Sequence, residues 1–92
     1  MQIKVKFSGA LSGIFGCIEK EVELEPGSNA RDLLIILCKN TQRADEVCVS
    51  PGELKSHIVM VRNKHALSNS ELSRVILRPG DVLEIIPLLF GG

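Results

Sequence analysis

Leu77-Arg78-Pro79-Gly80-Asp81-Val82-Leu83-Glu84-Ile85-Ile86-Pro87-Leu88-Leu89-Phe90-Gly91-Gly92 decides how the rest of the chain is read. Pro79-Gly80 followed by Asp81 is a turn, and Val82 to Ile86 is a short β-branched run that feeds out of it as a strand. Pro87 has no N–H to give to a sheet ladder and stops that strand. Three apolar residues and two glycines follow. With no Cβ on Gly91 or Gly92, the backbone can enter a narrow channel in conformations closed to other residues, so a partner enzyme can reach the Gly92 carboxylate. The plain alternative is a frayed end, where small residues are tolerated.

Upstream of this turn, His57 to Arg62 holds the compact run Ile58-Val59-Met60-Val61, too short for a helix and suited to a central strand. Asn63-Lys64 marks a turn, Ala66-Leu67 a brief edge strand, and residues 69–73 a polar connection. Residues 40–56 are polar and broken by Pro51-Gly52, with one short helical turn expected over 53–56. Before them, Pro26-Gly27 ends a strand and Ser28-Asn29 offers a helix N-cap, with Asp32 in the first turn where the helix dipole favours negative charge. Ala30, Leu33, Leu34 and Leu37 then fall on one buried stripe, and the helix ends near Asn40. Ile35, Ile36 and Cys38 widen the apolar face, which is either deeply covered or left open to a partner.

Gln2 to Phe7 alternates, with Ile3, Val5 and Phe7 on one face and Lys4 and Lys6 on the other. Residues 18–25 do the same: Ile18, Val22 and Leu24 share a face interrupted by Lys20, opposite a row of glutamates. Paired antiparallel, these strands set lysines across from glutamates, each pair contributing about 0.2–1 kcal/mol. Their connection, residues 8–17, has glycines spaced Gly-x-x-x-Gly-x-x-Gly. That spacing is neither a dinucleotide fingerprint nor a phosphate loop, and it reads as a flexible turn. The order is strand, strand, helix, strand, short strand, strand, without internal repeat or linker. One helix covers one face of a sheet, so the fold class is α+β: a mixed four- to five-stranded sheet with one main helix packed across one face.

Ninety-two residues make one small domain with a single core. Lysine plus arginine equals aspartate plus glutamate at 11 each, which argues against nucleic acid as partner and for a protein. No apolar run approaches the roughly 18 residues of a membrane span, and the first 16 residues lack a signal-peptide pattern, so a cytoplasmic location is expected. Cys17, Cys38 and Cys48 match neither zinc nor redox Cys-x-x-Cys spacing and read as buried thiols, Cys38 among apolar helix neighbours. His57 and His65 lack a carboxylate at a recognisable spacing, and Arg62, Lys64, Arg74 and Arg78 face either an acidic partner or water. No metal cluster, cofactor site or nucleophile–base pair can be assembled from these residues, so the chain is not expected to be an enzyme.

The turn, last strand and diglycine, Leu77-x-Pro79-Gly80-Asp81-Val82-x-x-Ile85-Ile86-Pro87 with Gly91-Gly92, resemble the ubiquitin-like β-grasp sulfur carriers of the MoaD/ThiS family. The Pro26-Gly27 to Leu37 passage and the Val61-Arg62-Asn63 turn are consistent with it. Residues 40–56 are longer than the usual connection, and Leu88-Leu89-Phe90 is bulkier than the small residues common before the diglycine in MoaD-like members. The resemblance implies a ubiquitin-like β-grasp domain over residues 1–87 and a flexible C-terminal tail over 88–92. It further implies that an adenylating enzyme similar to ubiquitin activators joins the Gly92 carboxylate to AMP, and that a sulfur nucleophile converts it to a thiocarboxylate. The sulfur then goes to a molybdopterin precursor with a synthase large subunit, slightly favoured by Pro87, or to thiamine thiazole with a thiazole synthase. Gly91 gives the tail access, and Leu88, Leu89 and Phe90 are the expected partner contacts, Phe90 as the main anchor unless it folds back on its own sheet. Capture of the same acyl group by lysines, as in a ubiquitin-like modifier, and a passive binding module are the alternatives.

Overall fold

The computed structural model describes residues 1–88. Strand β1 (Gln2–Phe7), helix α1 (Leu11–Phe15) and strand β2 (Glu19–Glu23) are followed by the main helix α2 (Ala30–Lys39). A 3-10 turn (Ala44–Glu46) leads to the short strands β3 (Cys48–Ser50) and β4 (Glu53–Leu54). Then come β5 (Ile58–Arg62), β6 (His65–Leu67), helix α3 (Asn69–Leu72) and β7 (Val82–Pro87). The main sheet has five strands in the order β2-β1-β7-β5-β6, and β3-β4 forms a separate hairpin. β1 and β7 run parallel, while the other neighbours are antiparallel. This is the expected α+β arrangement.

Alternation in β1 buries Ile3, Val5 and Phe7 and exposes Gln2, Lys4 and Lys6. Its register against β2 sets Lys4 opposite Glu21 and Lys6 opposite Glu19. Across the core, α2 buries the stripe Ala30, Leu33, Leu34 and Leu37. Asn29 caps it reciprocally: its side chain accepts from the Asp32 N–H at 2.8 Å, and the Asp32 carboxylate accepts from the Asn29 N–H at 3.0 Å. Asn40 is the C-cap. Ile3, Val5, Met60, Leu83 and Ile85 from the sheet and Leu33, Leu34 and Leu37 from α2 are the centre of one core.

The structure corrects the reading at five places. Residues 8–17 are not simply a turn: they hold α1, anchored by buried Leu11 and by Phe15, whose ring stacks on Phe7 at 4.3 Å between centroids. Residues 53–56 form no helical turn, because Glu53–Leu54 pairs with Cys48–Ser50 across the Pro51-Gly52 turn. Residues 69–73 hold α3, capped by a Ser68–Glu71 box. β5 is second from the edge, and β7 takes the middle. Ile18 lies beyond the ordered end of β2 and is 74% exposed instead of sharing the burial of Val22 and Leu24.

The β3–β4 hairpin covers part of the wide apolar face of α2, at Ile35 and Cys38, while Ile36 borders an open cleft beside Met1 and Leu24. A Cβ on Gly52 would lie 3.2 Å from Ile35 Cγ1, and Cys48 meets Cys38. No helix among the described residues is long and apolar enough to cross a membrane.

Candidate functional site

β7 lies in the middle of the sheet, held by β1 on one side and β5 on the other, so its exit direction is fixed from both flanks. Pro87 pairs with Ile58, and one residue later the Leu88 N–H still donates to the His57 carbonyl at 2.6 Å. The Leu88 side chain is 42% exposed. It borders a shallow cleft of about 190 Å³ lined in part by Leu54, Ile58, Val59 and Leu67. Gly9, in the left-handed region at φ +59°, brings the loop after β1 against Pro87, where an added Cβ would stand 3.7 Å from the proline Cγ. Leu89, Phe90, Gly91 and Gly92, the other residues assigned to the tail, lie outside the described residues.

The sheet face turned away from α2 carries a graded surface. Its longest row runs Glu19, Lys6, Glu84, Val61, Ala66 across five strands. The adjoining row places Ile86 beside Val59, and a third places Lys4 beside Val82. Charges therefore dominate the β2–β1 half, where Lys4 Nζ approaches Glu19 at 3.9 Å, and apart from Glu84 in the middle of β7 the β7–β5 half is apolar. Val59, Val61, Val82 and Ile86 are half-buried. Their part of the sheet adjoins Pro87 and Leu88, so this apolar surface is continuous with the end of β7. Sequence reasoning missed this surface. Its signal was the unbroken run on β5: a strand apolar on both sides is either covered twice or has one face for a partner.

The opposite end of β7 is fixed by Asp81. Its carboxylate accepts from the Arg78 N–H at 2.8 Å, from Arg62 Nε at 3.1 Å and from the Asn63 amide at 3.3 Å. Burial alone would raise its pKa. The Arg78 N–H, the Asn63 amide and the Arg62 guanidinium together outweigh that and hold the carboxyl below its usual range. Asn63 and Lys64, both at positive φ, make the two-residue turn between β5 and β6. The Asn63 N–H donates to the Val82 carbonyl at 3.2 Å, and its side-chain oxygen accepts from the Val82 N–H at 3.3 Å. Of the late basic residues, Arg62 thus has an internal partner, while Lys64, Arg74 and Arg78 are exposed. His57 and His65 are exposed, and no group of three or more His, Cys, Asp or Glu side chains among the described residues could hold a metal.

The family model described as the ThiS family matches residues 5–92. The chain belongs to the ThiS family. It is a ubiquitin-like β-grasp domain of the MoaD/ThiS kind, in a family of small ubiquitin-like carrier proteins. Among solved structures it is similar to SAMP1 from Haloferax volcanii, with 26% identity, TM-score 0.82 and 100% of both chains covered. Urm1 from Trypanosoma brucei is 24% identical, with TM-score 0.76 over 99% of this chain and 95% of that one. The protein–protein complex of subunits 1 and 2 of molybdopterin-converting factor from Helicobacter pylori contains a chain 20% identical, with TM-score 0.64 and 100% of both chains covered. No curated protein matches.

Proposed function

We propose that this ThiS-family chain is a sulfur carrier whose Gly92 carboxylate is the working group. One observation carries the reading: the family match runs through Gly91-Gly92, and the strand leading to them is held at the middle of the sheet beside an apolar open face. A partner adenylating enzyme joins the Gly92 carboxylate to AMP from ATP, releasing pyrophosphate. A sulfur nucleophile then displaces AMP and leaves a thiocarboxylate. Residues 1–87 act as the domain that this enzyme grips and residues 88–92 as the tail that enters its site, with Gly91 supplying clearance. Val59, Val61, Val82 and Ile86 form the grip, continued by Leu88, Leu89 and Phe90. The chain supplies the acyl group and no catalytic site of its own.

The favoured acceptor is a molybdopterin precursor, reached through a synthase large subunit in the cytoplasm. Pro87 and the likeness in fold to the molybdopterin-converting factor complex support it; thiamine thiazole and its synthase come next. A second reading, conjugation of Gly92 to lysines, draws support from the 26% identity to SAMP1, called a small archaeal modifier protein in a related structure. The two readings share activation and differ in nucleophile. Incubating the chain with its adenylating enzyme, ATP and a sulfur donor should replace one oxygen by sulfur in the intact mass. Lysine-linked conjugates without that mass change would favour the modifier. Full biological activity after deletion of Gly91 and Gly92 would remove support from both.

A further inference from the structure

Two of the cysteines meet across an interface. Cys38 lies in the last turn of α2, Cys48 opens β3, and their sulfurs touch at 2.6 Å as free thiols. Cys48 is buried and Cys38 half-buried, so Cys38 is the more exposed of the two. Cys17 is not part of the pair; its sulfur contacts the Phe15 carbonyl at 3.8 Å. The hydrogen bond from Cys48 lowers the Cys38 pKa against the opposing effect of burial. That same bond, then burial, raises the Cys48 pKa. The more accessible sulfur is therefore the better nucleophile.

We propose that Cys38 and Cys48 are a redox modification site, closing to an intramolecular disulfide that fastens the β3–β4 hairpin to α2. With a peroxide as oxidant, the Cys38 thiolate attacks a peroxide oxygen, forming a sulfenic acid and releasing one water after proton transfer. The Cys48 sulfur attacks the Cys38 sulfur, the S–S bond forms, and a second water leaves. Both sulfurs are oxidised and the peroxide is reduced. The bond closes a loop of ten positions, which by chain entropy shifts the folded-to-unfolded ratio by about a hundredfold. The cross-link joins α2 to Cys48 on the core side of the sheet, away from Val61 and Ile86, and so leaves that part of the open face uncovered. The site is independent of the sulfur-carrier reading.

The test treats the reduced full-length chain with hydrogen peroxide and follows intact mass, thiol labelling, peptide mapping and thermal melting. Expected are a mass loss of two hydrogen atoms, labelling at Cys17 alone, a linked pair of peptides containing Cys38 and Cys48, and a raised melting temperature that dithiothreitol reverses. Cys17→Ser should retain the mass loss, the linked peptides and the stabilisation and show no labelled thiol, and Cys38→Ser should lose the mass change and the stabilisation. Three labelled thiols after treatment, oxygen adducts without a cross-link, or disulfides formed through Cys17 or between chains would each overturn the proposal.

Discussion

Replacing Asp81 by alanine should loosen both ends of the turn system that aims β7. Asp81 is 9% exposed, and its carboxylate accepts three hydrogen bonds that join the Pro79-Gly80 turn to β5 and to the Asn63-Lys64 turn. Its loss leaves the Arg78 N–H without this acceptor and Arg62 with the Ile76 carbonyl at 3.3 Å. Hydrogen bonds to a charged group contribute about 1.5–3 kcal/mol each. The Arg62 side chain is 26% exposed, so solvent screens its share. Counting the Arg78 bond nearly in full and the others in part gives a loss of about 2–4 kcal/mol. Urea unfolding at neutral pH reads this as a lower midpoint at unchanged slope, and melting should fall by roughly 10 °C or more, at about 4–8 °C per kcal/mol in a domain of this size. The sign with pH is fixed by the depressed carboxyl pKa. The stabilisation is complete above the unfolded aspartate value of about 3.9 and is lost as pH falls through the folded value. The gap between parent and variant should therefore stay level from pH 5 to 8 and close in acid. A variant within about 0.5 kcal/mol of the parent at neutral pH would refute the assigned role of Asp81.

Leu34, fully buried in the α2 stripe, should cost about 2–5 kcal/mol on truncation to alanine, and Leu34→Asp should abolish the cooperative melt followed by circular dichroism. At Gly52, φ is +87° and a Cβ would stand 2.7 Å from Arg31 Nε, so Gly52→Ala should destabilise by about 1–2 kcal/mol in urea. Gly13→Ala, in open space within α1, should be neutral or stabilising by the same measurement. Asn29→Ala removes the α2 cap and the bond to the Ser73 carbonyl at 3.1 Å, and thermal unfolding should register a loss of about 1–2 kcal/mol.

What could be read from the sequence follows the strength of each local pattern. α2 was legible because Ala30, Leu33, Leu34 and Leu37 repeat at helical spacing and Asn29 and Asp32 mark its start. The pairing of β1 with β2 was legible from opposed lysines and glutamates, and β7 from the turn before it and the proline at its end. Helix α1 was hidden by Gly13 and Gly16; what orders it is the stack of Phe15 on Phe7, a tertiary contact that no window of eight residues contains. The hairpin at 48–54 was hidden because strands of three and two residues show no period. Ile18 kept its phase but not its burial, since burial also needs something overhead. The role proposed for Gly91-Gly92 rests on the sequence and the family match, while the apolar part of the open face required the register of β5 against β7.

The most direct measurement is ATP–pyrophosphate exchange by the adenylating enzyme, run with the full chain and with a chain lacking Gly91 and Gly92. Exchange that requires those two residues, while both chains melt alike, is the expected outcome. Equal exchange with and without them, or none with the full chain, would contradict the assignment of Gly92 as the acyl group that is activated.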